Sequence, residues 1–432
     1  MTDARRDYPV SEALLDRALG VIPLGAQTFS KSLTQYPRGS APFFIERAAG
    51  AEAWDVDGHR YTDWNNALCS VTLGHVDPDV TAAVTDQIGR GTIYSLSHTL
   101  EAEVAELIVE LVPSAEMVRF GKNGSDATAG AVRAARAFTG RDRVAVCGYH
   151  GWQDWYIGST ARNKGVPASS RALTRTFAYN DLAALDTLLA EHPDGYAAVI
   201  VEPMNTTWPA DDFLQGVCDR ARAAGAVAVF DETITGFRFA AGGAQELFGV
   251  TPDLTCLGKG LANGYPLAAV CGRRDIMREF EDVFFSFTMG GETLSLAAAK
   301  AALAKCRDAD VPAHLARIGQ RVLDGAAERI VRHRCADFLS LAGHPSWSFL
   351  VIGETPAASS FEIKTLFLQE VLARGILTLG THNLSYAHDE GHVVELMAVY
   401  DQVFPLLADA VAGGTVVERL RCAPLQPLFK VR

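Results

Sequence analysis

Residues 226–232 read AVAVFDE, an unbroken apolar run that ends on two carboxylates. A strand with one solvated face alternates apolar and polar residues, whereas one that is apolar at every position is covered on both faces. Working outward, similar runs occur at Arg143–Cys147 (RVAVC), Ala197–Val201 (AAVIV) and Ala268–Cys271 (AAVC). Between them lie helix candidates at Asp126–Phe138, Leu182–Ala190 and Phe213–Ala224, rich in Ala, Leu and Arg. Strands that alternate with helices predict an α/β fold, its mostly parallel sheet covered by helices on both faces.

Further out the pattern changes. Gly50–Trp64 (GAEAWDVDGHRYTDW) reads as a hairpin turning at Asp57-Gly58. Beyond about residue 310 longer helices carry isolated strands, SWSFLVI and then GILTLG. The expectation is a large α/β domain over residues 61–310, with a smaller α+β domain from residues 311–432 and an N-terminal segment, 1–60. A length of 432 residues is enough for two such units.

Composition narrows the function classes. Hydrophobic residues make up 48% and charged residues 21%, which argues against a disordered chain. The net charge of −12 argues against nucleic acid or an anionic membrane as partner, since either calls for a basic face. It says nothing against a small anionic ligand, which answers to local groups. The opening MTDARRDYPV lacks the apolar core of a secretory signal, and no stretch approaches the ~18 apolar residues of a membrane span. The eight cysteines are scattered without a CxxC pair, so neither a zinc or other metal site nor disulfides are expected, and a reducing cytoplasm is.

Ligands of open parallel sheets sit at the carboxyl ends of the strands. Four such ends carry distinct polar groups. Gly121–Asp126 (GKNGSD) opens an Ala-rich helix, where Gly124 and Ser125 offer an anion free N–H groups and a hydroxyl; an ordinary N-cap is the plainer alternative. Tyr149-His150-Gly151 follows RVAVC and puts an aromatic ring beside a glycine, for stacking on a planar ligand or for simple packing with Trp152, Trp155 and Tyr156. Asp231-Glu232 follows AVAVF, and a carboxylate there is costly without a cation or donors, unless it caps a loop. Lys259 lies between Gly258 and Gly260, an odd setting for a solvated lysine, and a desolvated lysine forms Schiff bases; Lys122 is its rival. An anion cradle, a stacking face, an acid and an isolated lysine are together what pyridoxal 5′-phosphate needs.

The sequence resembles the class III aminotransferases, of the fold-type I pyridoxal-phosphate enzymes, and most nearly their glutamate-1-semialdehyde 2,1-aminomutase branch. The likeness runs through DVDGHRYTDW, LGHVDP, RAARAFTGRDRV, YHG, VEP and DETITGFRFAAGGAQELFGVTPDLTCLGKG, covering nearly the whole chain. By position it implies that Lys259 carries the cofactor and moves the proton, and that Asp231 partners the pyridine nitrogen. Gly124 and Ser125 would cradle the phosphate and Tyr149 would stack on the ring, with His150 beside it. Glu202 matches the family's strand-end glutamate. Thr288 matches a threonine that reaches the phosphate of a neighbouring subunit, which implies a homodimer with a shared site.

This chain also departs from the family. Thr233 stands where a small aliphatic residue usually packs under the ring, and Ile234 where Gln or Met is common. Five places after Glu202 the family's asparagine is replaced by Thr207, with Asn205 nearby; either is a candidate for the ring hydroxyl. The regions that would select substrate, Gly25–Lys31, Asn66–Ser70 and Thr381–Tyr386, differ from the aminomutase pattern. The leading expectation is therefore an aminotransferase passing an amino group from an L-amino acid to an aldehyde or ketone. A polar acceptor such as a sugar rests on His382, Asn383, Ser385, Tyr386, Trp152 and Trp155, which equally suit loop bonding and packing. Intramolecular transfer of the aminomutase kind is the alternative, with racemase or epimerase chemistry open to the same lysine. A regulator without turnover would need a basic DNA-binding extension, which the sequence lacks.

Overall fold

A computed structural model describes residues 5–426. The chain divides into two compact units. The larger comprises Ser70–Thr72 and Pro78–Ala313, and the smaller takes the chain up to Cys69, Leu73–Asp77 and the chain from His314 onward.

The larger unit is built on a seven-stranded sheet. Its strands, in spatial order, are Met117–Gly121, Ala268–Gly272, Leu254–Leu257, Val227–Asp231, Tyr196–Val201, Arg143–Cys147 and Thr174–Thr176. Pairing is parallel from Leu254–Leu257 to Thr174–Thr176, and Ala268–Gly272 runs antiparallel to both its neighbours. The two faces follow the pleat, which turns successive side chains to opposite sides. Val144, Val146, Ala198, Ile200, Val227 and Val229 pack in one core with Ala127, Ala131 and Ala135 of the helix Gly124–Thr139. Ala145, Cys147, Val199, Val201, Ala228 and Phe230 pack in another, against Leu185 and Leu188 of Leu182–Glu191 and Leu214 and Val217 of Phe213–Ala223. The doubly covered sheet expected from the apolar runs is thus present.

The smaller unit joins residues from both ends of the chain. Glu52–Asp55 and Arg60–Asp63 form the expected hairpin, with Gly58 at φ +87° in its turn. Ile45–Ala49 pairs on one side of it, and Ile376–Leu377 pairs in parallel with Arg60–Asp63 on the other. A second, antiparallel sheet holds Leu339–His344, Trp347–Ile352 and Thr381–Asn383. Asn66–Cys69 forms a left-handed turn in which all four residues have positive φ, from 46° to 69°, without a glycine.

Candidate active site

The four strand ends of the larger unit meet. Asn123, Gly124, Ser125, Tyr149, His150, Gly151, Trp152, Glu202, Asp231, Thr233, Ile234 and Lys259 line one cavity of about 360 Å³, a volume usual for small-molecule sites.

At one wall lies the N-terminus of Gly124–Thr139. Its cap is Asn123, whose side chain accepts from Asp126 N–H at 3.1 Å while Asp126 accepts from Asn123 N–H at 3.1 Å. This reciprocal box leaves Ser125 out of the capping, and the first-turn amides of Gly124 and Ser125 have no intrahelical acceptor. Ser125 Oγ accepts from Trp152 N–H at 3.2 Å and keeps its own proton to donate. Gly151 is required beside it: φ is +103°, and a Cβ there would fall 2.2 Å from Ser125 Oγ. The Asn-x-x-Asp pattern at 123–126 was the sequence signal for this cap.

Asp231 and Glu232 separate by the pleat. Asp231 shares the face of Val227 and Val229, under the helix whose N-terminus bounds the cavity, and Glu232 shares that of Phe230. Asp231 is 6% exposed. Its Oδ2 accepts from His150 Nδ1 at 2.9 Å, and its Oδ1 accepts from the Thr233 N–H at 3.2 Å and hydroxyl at 2.5 Å. His150 is locked in turn: Nε2 lies 3.2 Å from the Cys147 carbonyl, and its ring stacks on Trp155 at 6.3 Å. Glu232 is fully buried and takes four donors instead, from Thr235, Ala244 and two groups of Gln245. Burial raises its pKa while those bonds oppose the shift. It braces the 240s loop and does not line the cavity.

Tyr149 also lines the cavity, its ring edge-on to Tyr156 at 5.6 Å, its N–H donating to Glu202 Oε2 at 2.8 Å. Gly148 allows this approach, since a Cβ there would meet Glu202 Oε2 at 2.6 Å. Lys259 begins the turn after Leu254–Leu257 with φ +44°, a left-handed conformation that a non-glycine residue adopts only under constraint. Lys122, its rival, points elsewhere and pairs with Glu292 at 3.3 Å.

Other sequence candidates lie outside this cavity. Asn205 donates to Glu202 Oε2 at 3.1 Å and, with Thr207, lines a neighbouring cavity that shares Glu202. Thr288 is exposed on a turn and is not among the lining residues. His382, Asn383 and Ser385 are buried within the smaller unit and bonded there. Trp155 packs on the core, and only Trp152 of that group lines the cavity. Among arginines that could meet a substrate carboxylate, Arg38 pairs with Glu12 and Asp16, Arg119 donates to the Phe285 carbonyl, and Arg238 donates to Thr72. Asn123 and Ile234 are lining residues that the sequence reading did not place there.

Set beside known proteins, the chain belongs to the class III aminotransferases, a family of fold-type I pyridoxal-phosphate enzymes: the family profile, "Aminotransferase class-III", matches residues 35–339. Among relatives, a glutamate-1-semialdehyde 2,1-aminomutase of Roseiflexus castenholzii is 36% identical over 94% of this chain and 99% of its own. Among solved structures, the FumI protein of Sphingopyxis sp. MTA144, determined with PLP, superposes with a TM-score of 0.87 at 28% identity, over 96% of this chain and 98% of that one. An omega-transaminase from Sphaerobacter thermophilus gives 0.81 at 28% identity, over 92% and 97%.

The lining residues fit pyridoxal phosphate. First-turn amides and a hydroxyl suit the phosphate. An acid held by three donors suits a cationic ring nitrogen, an aromatic face suits the ring, and a constrained lysine suits the aldehyde. Among the described residues no group of three or more His, Cys, Asp or Glu is placed to hold a metal ion. No helix among them is long and apolar enough to cross a membrane.

Proposed function

We propose that this chain is an aminotransferase that takes an amino group from an L-amino acid and delivers it to an aldehyde or ketone. The observation that carries the reading is the convergence of Lys259 and Asp231 on one cavity with the Gly124–Ser125 amides. When bound, pyridoxal phosphate supplies an electron sink for the carbanion at the substrate's amine-bearing carbon. In each half of the reaction Lys259 Nζ would move a proton between that carbon and the cofactor carbon to which the amine is joined. Asp231 would keep a proton on the ring nitrogen, and His150 holds its carboxylate in place by a hydrogen bond of 2.9 Å. Gly124 and Ser125 bind the phosphate, and Tyr149 holds the ring plane. Glu202 anchors the Tyr149 backbone and accepts from Asn205, and Asn205 or Thr207 would serve the ring hydroxyl. Thr288 serves the site of a second copy, which makes the working form a homodimer, in the cytoplasm.

The donor and acceptor remain small molecules of those classes. A polar, sugar-like acceptor loses its main support, because His382, Asn383 and Ser385 are buried in the smaller unit and bond to Ser348, Asn65 and His388 there. The second reading, intramolecular transfer, is favoured by the aminomutase relative. Against it stand the rewritten segments at Asn66–Ser70 and Thr381–Tyr386.

The test is spectroscopic and then chemical. The purified protein should show the visible band of a lysine-linked cofactor, and Lys259→Ala should lose it; a band that persists in the variant refutes the assignment. A panel of L-amino acids should bleach that band. If none does, while glutamate-1-semialdehyde is converted to 5-aminolevulinate, the intramolecular reading replaces this one.

A further inference from the structure

Thr233 stands at the centre of the site in a position where the family carries an aliphatic side chain, and its two ends contact different things. The hydroxyl lies 2.5 Å from Asp231 Oδ1. A carboxylate only accepts, so Thr233 is the donor. The methyl fills the gap between two backbones: a Cβ on Gly124 would fall 2.9 Å from Thr233 Cγ2, and one on Gly258 would fall 3.2 Å from it. The side chain therefore touches the acid, the phosphate-binding turn and the residue before Lys259. A valine has the same outline and would fill the same gap. What it lacks is the O–H.

That O–H has a chemical consequence. An ionised carboxylate offers about four lone-pair sites, and on Asp231 three are engaged, by His150 Nδ1, Thr233 N–H and the Thr233 hydroxyl. Hydrogen bonds to charged groups are roughly twice as strong as neutral ones, because they draw off charge. Charge drawn toward Thr233 is unavailable to a cation on the cavity side. We propose that Thr233 is a positioning residue that weakens the hold of Asp231 on the cofactor's ring nitrogen, and so sets the electron demand of the ring. The proposal rests on the reading of this cavity as the pyridoxal-phosphate site.

The cofactor's own colour reads the effect. A ring nitrogen that holds its proton more firmly withdraws electrons from the lysine-linked nitrogen, which then loses its proton at lower pH. Holoenzyme of the wild type, Thr233→Val and Thr233→Ser is titrated by visible absorption between about pH 5 and 10, with thermal melting as a check on folding. Thr233→Val should move the spectral midpoint down by about one pH unit, the size of one hydrogen bond to a charged group. Thr233→Ser keeps the hydroxyl and should titrate with the wild type. If Thr233→Val does not fold, Thr233→Ala carries the same prediction. A midpoint unchanged in the hydroxyl-free variant overturns the proposal. So does a Thr233→Ser midpoint that moves with Thr233→Val, since the methyl packing would then be responsible. Failure of the underlying reading looks different: a wild type without a visible band, or a band that survives Lys259→Ala.

Discussion

Two clusters of mostly buried polar side chains, one in each unit, share residue types and differ in whether they border a cavity. In the larger unit, Asp231, His150, Ser125 and Glu202 bond to one another's neighbourhoods and still border a cavity. In the smaller unit, His382 lies between Ser348 Oγ at 3.0 Å and the Tyr400 hydroxyl at 2.7 Å, Asn383 donates to the Asn65 carbonyl at 2.7 Å, and Ser385 Oγ meets His388 Nδ1 at 2.9 Å. Burial pushes the His382 ring down to about 4 and the His388 ring down to about 3, so both are neutral at ordinary pH. The first cluster borders a cavity, and the second holds neutral rings inside a packed interior. A buried polar residue signals a site only when it also borders a cavity.

The sharpest way to break this contrast is to neutralise the acid. Asp231→Asn keeps the shape and removes the charge that faces the cavity. The rate of cofactor conversion by an amino donor should fall by about 10³, the usual cost of losing one preorganised electrostatic partner. Urea unfolding should change far less than that rate. A rate within tenfold of wild type would mean that Asp231, like the second cluster, serves only the fold.

The second cluster should instead declare itself through stability and pH. In the unfolded chain each ring takes up a proton near pH 6.5, whereas in the folded chain His382 resists until about 4. The unfolded state therefore binds more protons below 6.5, and stability is full above that pH and lost as pH falls toward 4. For His382 the loss is about 3 kcal/mol across that window, of which about 2 kcal/mol has gone by pH 5. His388 adds a loss of the same sign. Urea unfolding at pH 7.5 and pH 5.0 measures it, and His382→Gln should shrink the difference while leaving the donor reaction intact. A stability that is flat across these pH values would remove the distinction between the clusters.

The sheet of the larger unit was legible because Val144–Cys147, Ala197–Val201 and Val227–Phe230 are apolar on both faces, and burial on both faces leaves that trace in sequence. Thr174–Thr176 left none: it reads TRT at the sheet edge, where only backbone pairing defines it. The strand-end residues were legible for a related reason, since a lysine between glycines or an acid after a buried run conflicts with its surroundings. The choice between Asp231 and Glu232 needed only the pleat, but the destination of each face needed the fold. The left-handed turn at Asn66–Cys69 was illegible because no glycine marks it. His382, Asn383 and Ser385 looked like a substrate wall because sequence shows polarity and not whether the residue is enclosed. The hydroxyl contact of Thr233 lay beyond the sequence too, though the departure at that position was visible.

Two smaller effects refine the contrast within the larger unit itself. Glu232 belongs with the consumed cluster despite its place beside Asp231: four donors converge on it. Glu232→Gln turns an amide N–H₂ toward donors, so it should cost about 2 kcal/mol in urea unfolding, with cofactor affinity unchanged. Ser125 belongs with the open cluster, because its proton is still available after Oγ accepts from Trp152 N–H. Ser125→Ala removes one hydrogen bond to a charged phosphate and leaves the first-turn amides and the Asn123 cap in place. The apparent affinity for pyridoxal phosphate should fall about tenfold, with little change in stability. Affinity that is lost outright would assign Ser125 to the frame of the turn, and affinity that is unchanged would leave the anion to the backbone amides alone.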